Sequence, residues 1–456
     1  MNVVSRLKLS FLFSVLALLV LPTQLVQAAD NDDGQRAPPE ARTAGTLSEP
    51  IMRAINEIQG MLSPEDDSDE PDLEGAKEAL DRLRERRFAR MNDFEKSTML
   101  NFYTNYYLTI EDYQGALRTF EEILTIETLR EDTRLRTLRS LGQLYAAEEE
   151  WQNSINNYQA WRELSPEEDD VVYRGLSYAH YQLQEFEQAL PYWISYMEIL
   201  LAEGEELGRD DYAYLNGIYF TLEDFASALE LTKSMIMLFD NPIDWMNLSA
   251  VYASLDNEPR RVQSLNVAYL KGYLEDENRF LNLGQSMAGQ DMPYSGSKIL
   301  KDGFEKGVIE ESEDNLTTFA QMYLIGSDYE LALEPAQRVA EMSDSGDAYD
   351  TLGYIYYVLH NYESAVDAFQ AAVDKGNLSN ASDTYLFLSR SLIELDDFDG
   401  ALAAARQAAD AGDSSEREQA TNYISFIDST KSRYDVLATR RADAIDFYES
   451  YPSLID

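Results

Sequence analysis

The chain of 456 residues contains no cysteine. Disulfides, thiol nucleophiles and every cysteine-ligated metal site are thereby excluded. Histidine is nearly as scarce, with His180 and His360 alone, too far apart in the chain for a His–His metal pair or a Ser–His–Asp triad. No glycine-rich phosphate loop is present. Basic residues are also short: 37 Lys and Arg stand against 83 Asp and Glu, a net charge of −46. Such a surface repels phosphates and anionic lipid, which argues against nucleic-acid partners and membrane-surface binding. It steers basic partners toward the protein, and it equally fits adaptation to high salt. Carboxylate pairs occur at every spacing when acids are this numerous, so none of them marks a catalytic site.

Long apolar runs are missing beyond the N-terminus. Arg6 and Lys8 open a segment in which Phe11 to Leu21 is apolar except for Ser14, and Val26-Gln27-Ala28 closes it with small residues at the positions a signal peptidase reads. The run is shorter than the ~20 residues that a helix needs to span a bilayer core. Residues 1–28 therefore read as a cleaved secretory signal, and the mature chain is expected in the periplasm without membrane insertion.

Internal periodicity dominates what is present. Leu138, Leu141, Gly142, Tyr145, Ser154, Tyr158 and Pro166 recur in type as Tyr349, Leu352, Gly353, Tyr356, Ala365 and Phe369, and again as Trp245, Leu248, Ser249 and Tyr252. Weaker copies include Leu100, Tyr107, Ala116 and Phe120, and Leu316, Ala320, Tyr323 and Ala332. This is the tetratricopeptide (TPR) pattern, with two antiparallel helices A and B in about 34 residues. The small-residue anchor of helix B is expected near 116, 154, 189, 228, 261, 296, 332, 365 and 401. Glycine, alanine or serine at these places lets helices A and B approach closely. Leucine and tyrosine fill the space between neighbouring repeats, because one repeat cannot bury its apolar face alone. The expected fold is an all-α TPR solenoid of about ten repeats with a C-terminal capping helix.

Its boundaries follow from composition. Residues 29–46 lack helical spacing and read as a disordered linker. The solenoid is expected over 47–428, beginning with Ile51, Ile55, Ile58 and Met61 on one helix face and a partner helix from Leu73 to Arg87. The acidic run Pro64 to Asp72 lacks the order of a calcium loop. Ser415 to Ile427, with Tyr423, Phe426 and Ile427 on one face, reads as the capping helix, and 429–456 as a tail with room for some further helix. His180 occupies the slot where the repeat wants tyrosine and is expected to be packed, whereas His360 falls in an exposed turn.

The centre of the chain carries a finer pattern. Ala268-Tyr-Leu-Lys-Gly-Tyr-Leu274 precedes Phe280-Leu-Asn-Leu283, Met292-Pro-Tyr294, Ile299-Leu300, Gly303 and Gly307-Val-Ile-Glu310. In that order these segments resemble the central repeats of a proteobacterial family of periplasmic TPR proteins encoded beside TonB–ExbB–ExbD energy-transduction systems. Asp112-Tyr113 through Tyr145 is similar too, so the resemblance covers roughly residues 47 to 428. Gly296 and Ser297 depart from it where the family commonly has Ala-Ala. The resemblance implies a periplasmic protein-binding scaffold, an accessory of TonB-dependent uptake with TonB-system components as partners. A TPR scaffold for envelope assembly or exopolysaccharide export is the alternative. Neither is an enzyme, and no cofactor, metal or catalytic residue is expected.

Helix A positions that avoid both the core and the repeat interface would line a concave face. In the third and fourth repeats these are Arg136, Arg139, Gln143, Arg174, Tyr178 and Tyr181. Guanidinium groups beside aromatic rings suit a carboxylate-bearing peptide, although the arginines could equally neutralise neighbouring acids such as Glu148 to Glu150. Cleavage after Ala28 is directly testable: N-terminal sequencing of the native protein is expected to start at Ala29, and a start at Met1 would refute the secretory reading.

Overall fold

Many of the helices open on a side chain that satisfies free N–H groups of the first turn. Asn92 and Glu95 form a reciprocal capping box, and Asp112, Asp397 and Asn361 accept from the backbone N–H three residues on. The computed structural model describes residues 45–64 and 70–450, and the chain falls into two units, Met1–Phe239 and Asp240–Asp456. Residues 1–44, read from the sequence as signal and linker, the acidic residues 65–69 and residues 451–456 of the tail lie outside the described residues.

The first unit contains α1 (Glu49–Leu62), α2 (Leu73–Arg87), α3 (Asp93–Thr109), α4 (Tyr113–Leu124), α5 (Glu131–Ala147), α6 (Trp151–Leu164), α7 (Asp170–Gln182), α8 (Phe186–Glu203), α9 (Arg209–Thr221) and α10 (Phe225–Phe239). The second contains α11 (Pro242–Ser254), α12 (Glu258–Leu270), α13 (Glu277–Gly289), α14 (Pro293–Glu305), α15 (Glu313–Ile325), α16 (Tyr329–Met342), α17 (Gly346–Val358), α18 (Tyr362–Lys375), α19 (Ala381–Glu394), α20 (Phe398–Ala411) and the long α21 (Ser414–Ser450). Odd-numbered helices from α1 to α19 are A helices and each packs on the B helix that follows it. Ten A/B pairs and a terminal helix make an all-α TPR solenoid, with no strand among the described residues.

The A and B helices meet at the small residues. Ser154 donates from its hydroxyl to the Gly142 carbonyl at 2.7 Å, and Ser389 to the Ala401 carbonyl at 2.7 Å. Between α13 and α14 both partners are glycine: a Cβ on Gly284 would lie 2.8 Å from Leu300, and one on Gly296 would collide with the Gly284 carbonyl. One expected anchor fails. Position 261 is arginine, and Arg261 pairs with Glu258 at 2.6 Å and reaches Asn282 of α13 at 3.1 Å. The α12–α13 seam is correspondingly the thinnest of the second unit.

From the second repeat on, the turn from A to B is uniform. The N–H just before the B helix donates to the carbonyl five positions back, in the TPR tyrosine slot, as from Asp112 to Tyr107, Glu150 to Tyr145, Asp224 to Tyr219, Asn257 to Tyr252 and Asn361 to Tyr356. This closure requires a left-handed residue in between. Glu111, Glu149, Gln184, Glu223, Asp256, Asp291, Ser327, His360 and Asp396 all have positive φ there. His360 is thus exposed in a turn as expected, while His180, in the tyrosine slot, is buried with Nδ1 2.7 Å from Glu185 Oε2.

The ends differ from expectation in two places. Leu62, rather than Met61, completes the buried face of α1. The capping helix does not stop at Ile427 but runs on to Ser450, so much of the tail is helical; Ala420 and Ile427 are its buried residues, while Phe426 is exposed.

A β-carbon in the left-handed region costs about 1–2 kcal/mol, of which glycine's greater freedom in the unfolded chain returns a part. Glu111→Gly and Glu223→Gly, both at exposed turn positions, are therefore each expected to stabilise the fold by about 0.5–1 kcal/mol. A higher urea midpoint would show it; an unchanged or lower one would mean that the turns carry no strain.

Candidate binding site

Two glycines one repeat apart shape the A-helix face of α5 and α7. A Cβ on Gly142 would stand 2.5 Å from the Tyr158 ring, and one on Gly175 would collide with it from the other side. Their absence opens a slot through which Tyr158, rooted on α6, passes between the two A helices. The ring is fully buried, and its hydroxyl has no hydrogen-bond partner. Burial pushes the phenol well above its ordinary range, with Arg174 and Arg139 opposing that shift and Asp169 adding to it.

The six residues expected to line this face occupy different environments. Arg136 is on the solvent edge, 3.5 Å from Asp132. Arg139 donates from Nε to Asp169 Oδ1 at 3.1 Å, and the same carboxylate oxygen caps α7 by accepting from the Val172 N–H at 3.0 Å. Arg174 lies over the Tyr196 ring, 5.8 Å from its centroid. Gln143 and Tyr178 were expected to be open, yet they are 1% and 5% exposed, because the A helices of successive repeats pack side by side and cover the positions between them. The Gln143 Oε1 has no hydrogen-bond partner. Tyr178 presents its ring to the edge of Trp151 at 5.7 Å. Tyr181 packs against Phe186 and Tyr214 at 5.1 and 5.2 Å.

Arg139 and Arg174 thus act on the buried Tyr158 phenol from the two A helices that flank it, whereas Arg136 and Tyr181 stand aside. Sequence reasoning passed over Tyr158 because it sits at a B-helix core position; the signal available was the pair of A-helix glycines, 142 and 175. It also passed over the aromatic cluster beside the site. Trp193 lies 3.9 Å from Tyr214 and 4.8 Å from Tyr196 between ring centroids, and Arg162 covers Tyr173 and Tyr192 at 5.0 and 5.2 Å. This packing holds the walls of the slot rigid.

The second unit repeats the arrangement with opposite charge. Asp350 takes on α17 the place that Arg139 and Arg174 take on α5 and α7. Burial raises its pKa, the nearby carboxylates of Asp347 and Asp383 add to this, and the Thr384 hydroxyl opposes it. Asp347 is itself committed to the next repeat, accepting from the Ser379 N–H at 2.7 Å. Elsewhere in this unit a cleft of about 470 Å³ opens beside the thin α12–α13 seam, lined by Val262, Gln263, Tyr269, Met287, Met292 and Lys298 among others. Among the described residues no group of three His, Cys, Asp or Glu side chains could hold a metal ion, and no helix is long and apolar enough to cross a membrane.

No protein-family model matches the sequence, and neither does any curated protein. Solved structures with similar stretches include MamA MSR-1 at 18% identity, covering 37% of this chain and 95% of that one with a TM-score of 0.31. A tetratricopeptide repeat protein from Parabacteroides merdae matches at 12% identity, with 65% and 99% covered and a TM-score of 0.32. The TPR2AB-domain:pHSP90 complex of yeast Sti1 matches at 12% identity, with 66% and 99% covered and a TM-score of 0.24. At scores of this size nothing about partner or role transfers to this chain.

The Asp350 carboxylate supplies a pH test. Its folded pKa lies above the ordinary 3.8, so the folded state holds the proton more tightly than the unfolded chain. The ionised group then weakens the fold as pH rises through that raised value, and the effect vanishes below the unfolded pKa. Asp350→Asn is expected to raise Tm near neutral pH, with the gain disappearing toward about pH 4. A gain that is constant with pH would exclude charge burial as its cause.

Proposed function

We propose that this chain is a periplasmic protein-binding scaffold that serves TonB-dependent energy transduction. In this reading it holds an extended or helical segment of a partner protein on the A-helix face of α5 and α7. One observation carries the site: Arg139 and Arg174 stand at equivalent positions of successive A helices and stay partly exposed in a chain of net charge −46. Guanidinium groups at the same place favour a segment that carries an acidic side chain. The TPR architecture suits this work, since part of the A-helix face, Arg139 and Arg174 included, stays outside the contacts that stack the repeats.

The TonB assignment rests on the order of the Lys271-Gly272-Tyr273-Leu274, Pro293-Tyr294 and Gly307-Val308-Ile309-Glu310 segments. The negative charge of the chain is consistent with attraction of a basic partner surface around the bound segment.

The test combines capture and substitution. Crosslinking in the periplasm with tagged protein is expected to recover a TonB-system component, and recovery of envelope-assembly proteins instead would overturn the assignment. Because Arg139 is bonded to the carboxylate that caps α7, charge reversal there would disturb the fold; the amide is the cleaner change. Arg139→Gln with Arg174→Gln is expected to weaken binding of the captured partner at least tenfold, about 1.4 kcal/mol, with circular dichroism unchanged. Undiminished affinity in the folded double variant would remove the site from consideration.

A further inference from the structure

The cleft beside the α12–α13 seam lies between two successive B helices, α12 and α14, and its lining differs from the acidic exterior around it. The α12 side runs from Pro259 to Tyr269, ~15 Å at 1.5 Å per residue. Val262, Met287 and Ile299 form an apolar floor and are themselves buried. The rim is polar, with Asn266, Gln290, Ser295 and Lys298 along it. None of these four side chains makes a hydrogen bond or an ion pair among the described residues. The volume of about 470 Å³ falls within the ~300–1,000 Å³ of ligand sites.

Charge and hydrogen-bonding capacity identify what fills it. In a chain with 83 acidic residues, no carboxylate lines the cleft. The acids at its two ends are committed elsewhere. Glu258 pairs with Arg261 at 2.6 Å, and Asp302 pairs with Lys306 at 2.7 Å and accepts from the Tyr269 hydroxyl at 3.0 Å. Lys298 rests over the Tyr294 ring, 4.3 Å from its centroid, and so sets one unpaired positive charge beside an apolar floor. An acidic side chain next to an apolar one matches that combination. The amides of Asn266 and Gln290 bond equally to N–H and C=O groups, which an extended backbone leaves open and a helix satisfies internally. At ~3.3 Å per residue the cleft accommodates about four or five extended residues. We infer that the α12–α14 cleft binds a short extended segment of a partner protein in which an apolar side chain stands beside an Asp or Glu.

Phage-displayed random heptapeptides panned on the full chain are expected to yield sequences with Leu, Ile, Phe or Met close to Asp or Glu. Fluorescein-labelled peptides of those sequences then report affinity by anisotropy. Ser295→Trp, which fills the cleft from an exposed rim position, should abolish binding, and Lys298→Glu should weaken it about tenfold or more. Asn266→Ala with Gln290→Ala removes only the two amides and should also weaken it about tenfold, so the test does not hang on the bulky variant. Lys301→Glu makes the same charge change on α14 outside the cleft and should alter affinity by less than about threefold. Failure to enrich acidic–apolar sequences, or affinity that survives the Ser295, Lys298 and amide changes, would overturn the proposal. So would enriched peptides that lose affinity only in the Arg139→Gln/Arg174→Gln protein, which would place them in the first unit. A dimer in sedimentation that Ser295→Trp abolishes would make a second copy the occupant and overturn it as well.

Discussion

Close approach of the A and B helices of one repeat is the constraint on which the other features of the fold depend. Where Gly142 meets Ser154, where Ser389 meets Ala401 and where Gly284 meets Gly296, main chain touches main chain or a hydroxyl bonds directly to a carbonyl. That distance leaves the larger side chains only the space between successive pairs, so Tyr158, Phe280 and Phe369 become fully buried there. It also dictates the turn. Two helices this close must be joined by a few residues with one in the left-handed region, and the recurring bond from the B-helix start to the tyrosine-slot carbonyl closes the loop. Where the small residue is lost, at Arg261, the next seam thins and a cleft opens.

The acidic surplus is partly structural. Asp93 accepts from the Thr128 N–H at 3.2 Å, Glu277 from the Glu310 N–H at 2.8 Å and Asp347 from the Ser379 N–H at 2.7 Å. In each case the first turn of one A helix is bonded to the loop that precedes the next. Such bonds set the register between repeats without using apolar surface. They account for only a few of the acids; the rest form a solvated exterior against which the basic side chains at the Tyr158 slot stand out.

The slot illustrates how a site can arise from packing requirements. Tyr158 is core by its position in the repeat, and successive A-helix glycines let its ring lie between the two A helices. Beside it Trp193 packs against Tyr196 and Tyr214, and Arg174 lies over the Tyr196 ring, so that guanidinium is held against a packed aromatic frame. Rigidity of this kind lowers the ordering cost of binding.

Helix pairing, the number of repeats, the packed His180, the turn at His360 and even the limits of α2 were legible in the sequence, because each follows from spacing along one helix or across one turn. The anchor at Arg261, the burial of Gln143 and Tyr178, the route of Tyr158 and the continuation of α21 were not. Each depends on how a neighbouring repeat approaches, or on the absence of any neighbour. Periodicity within a repeat is written in local residue order and can be read as a pattern. Exposure at a position shared by two repeats is decided only when their surfaces meet, by side-chain volumes separated by more than thirty residues in the chain.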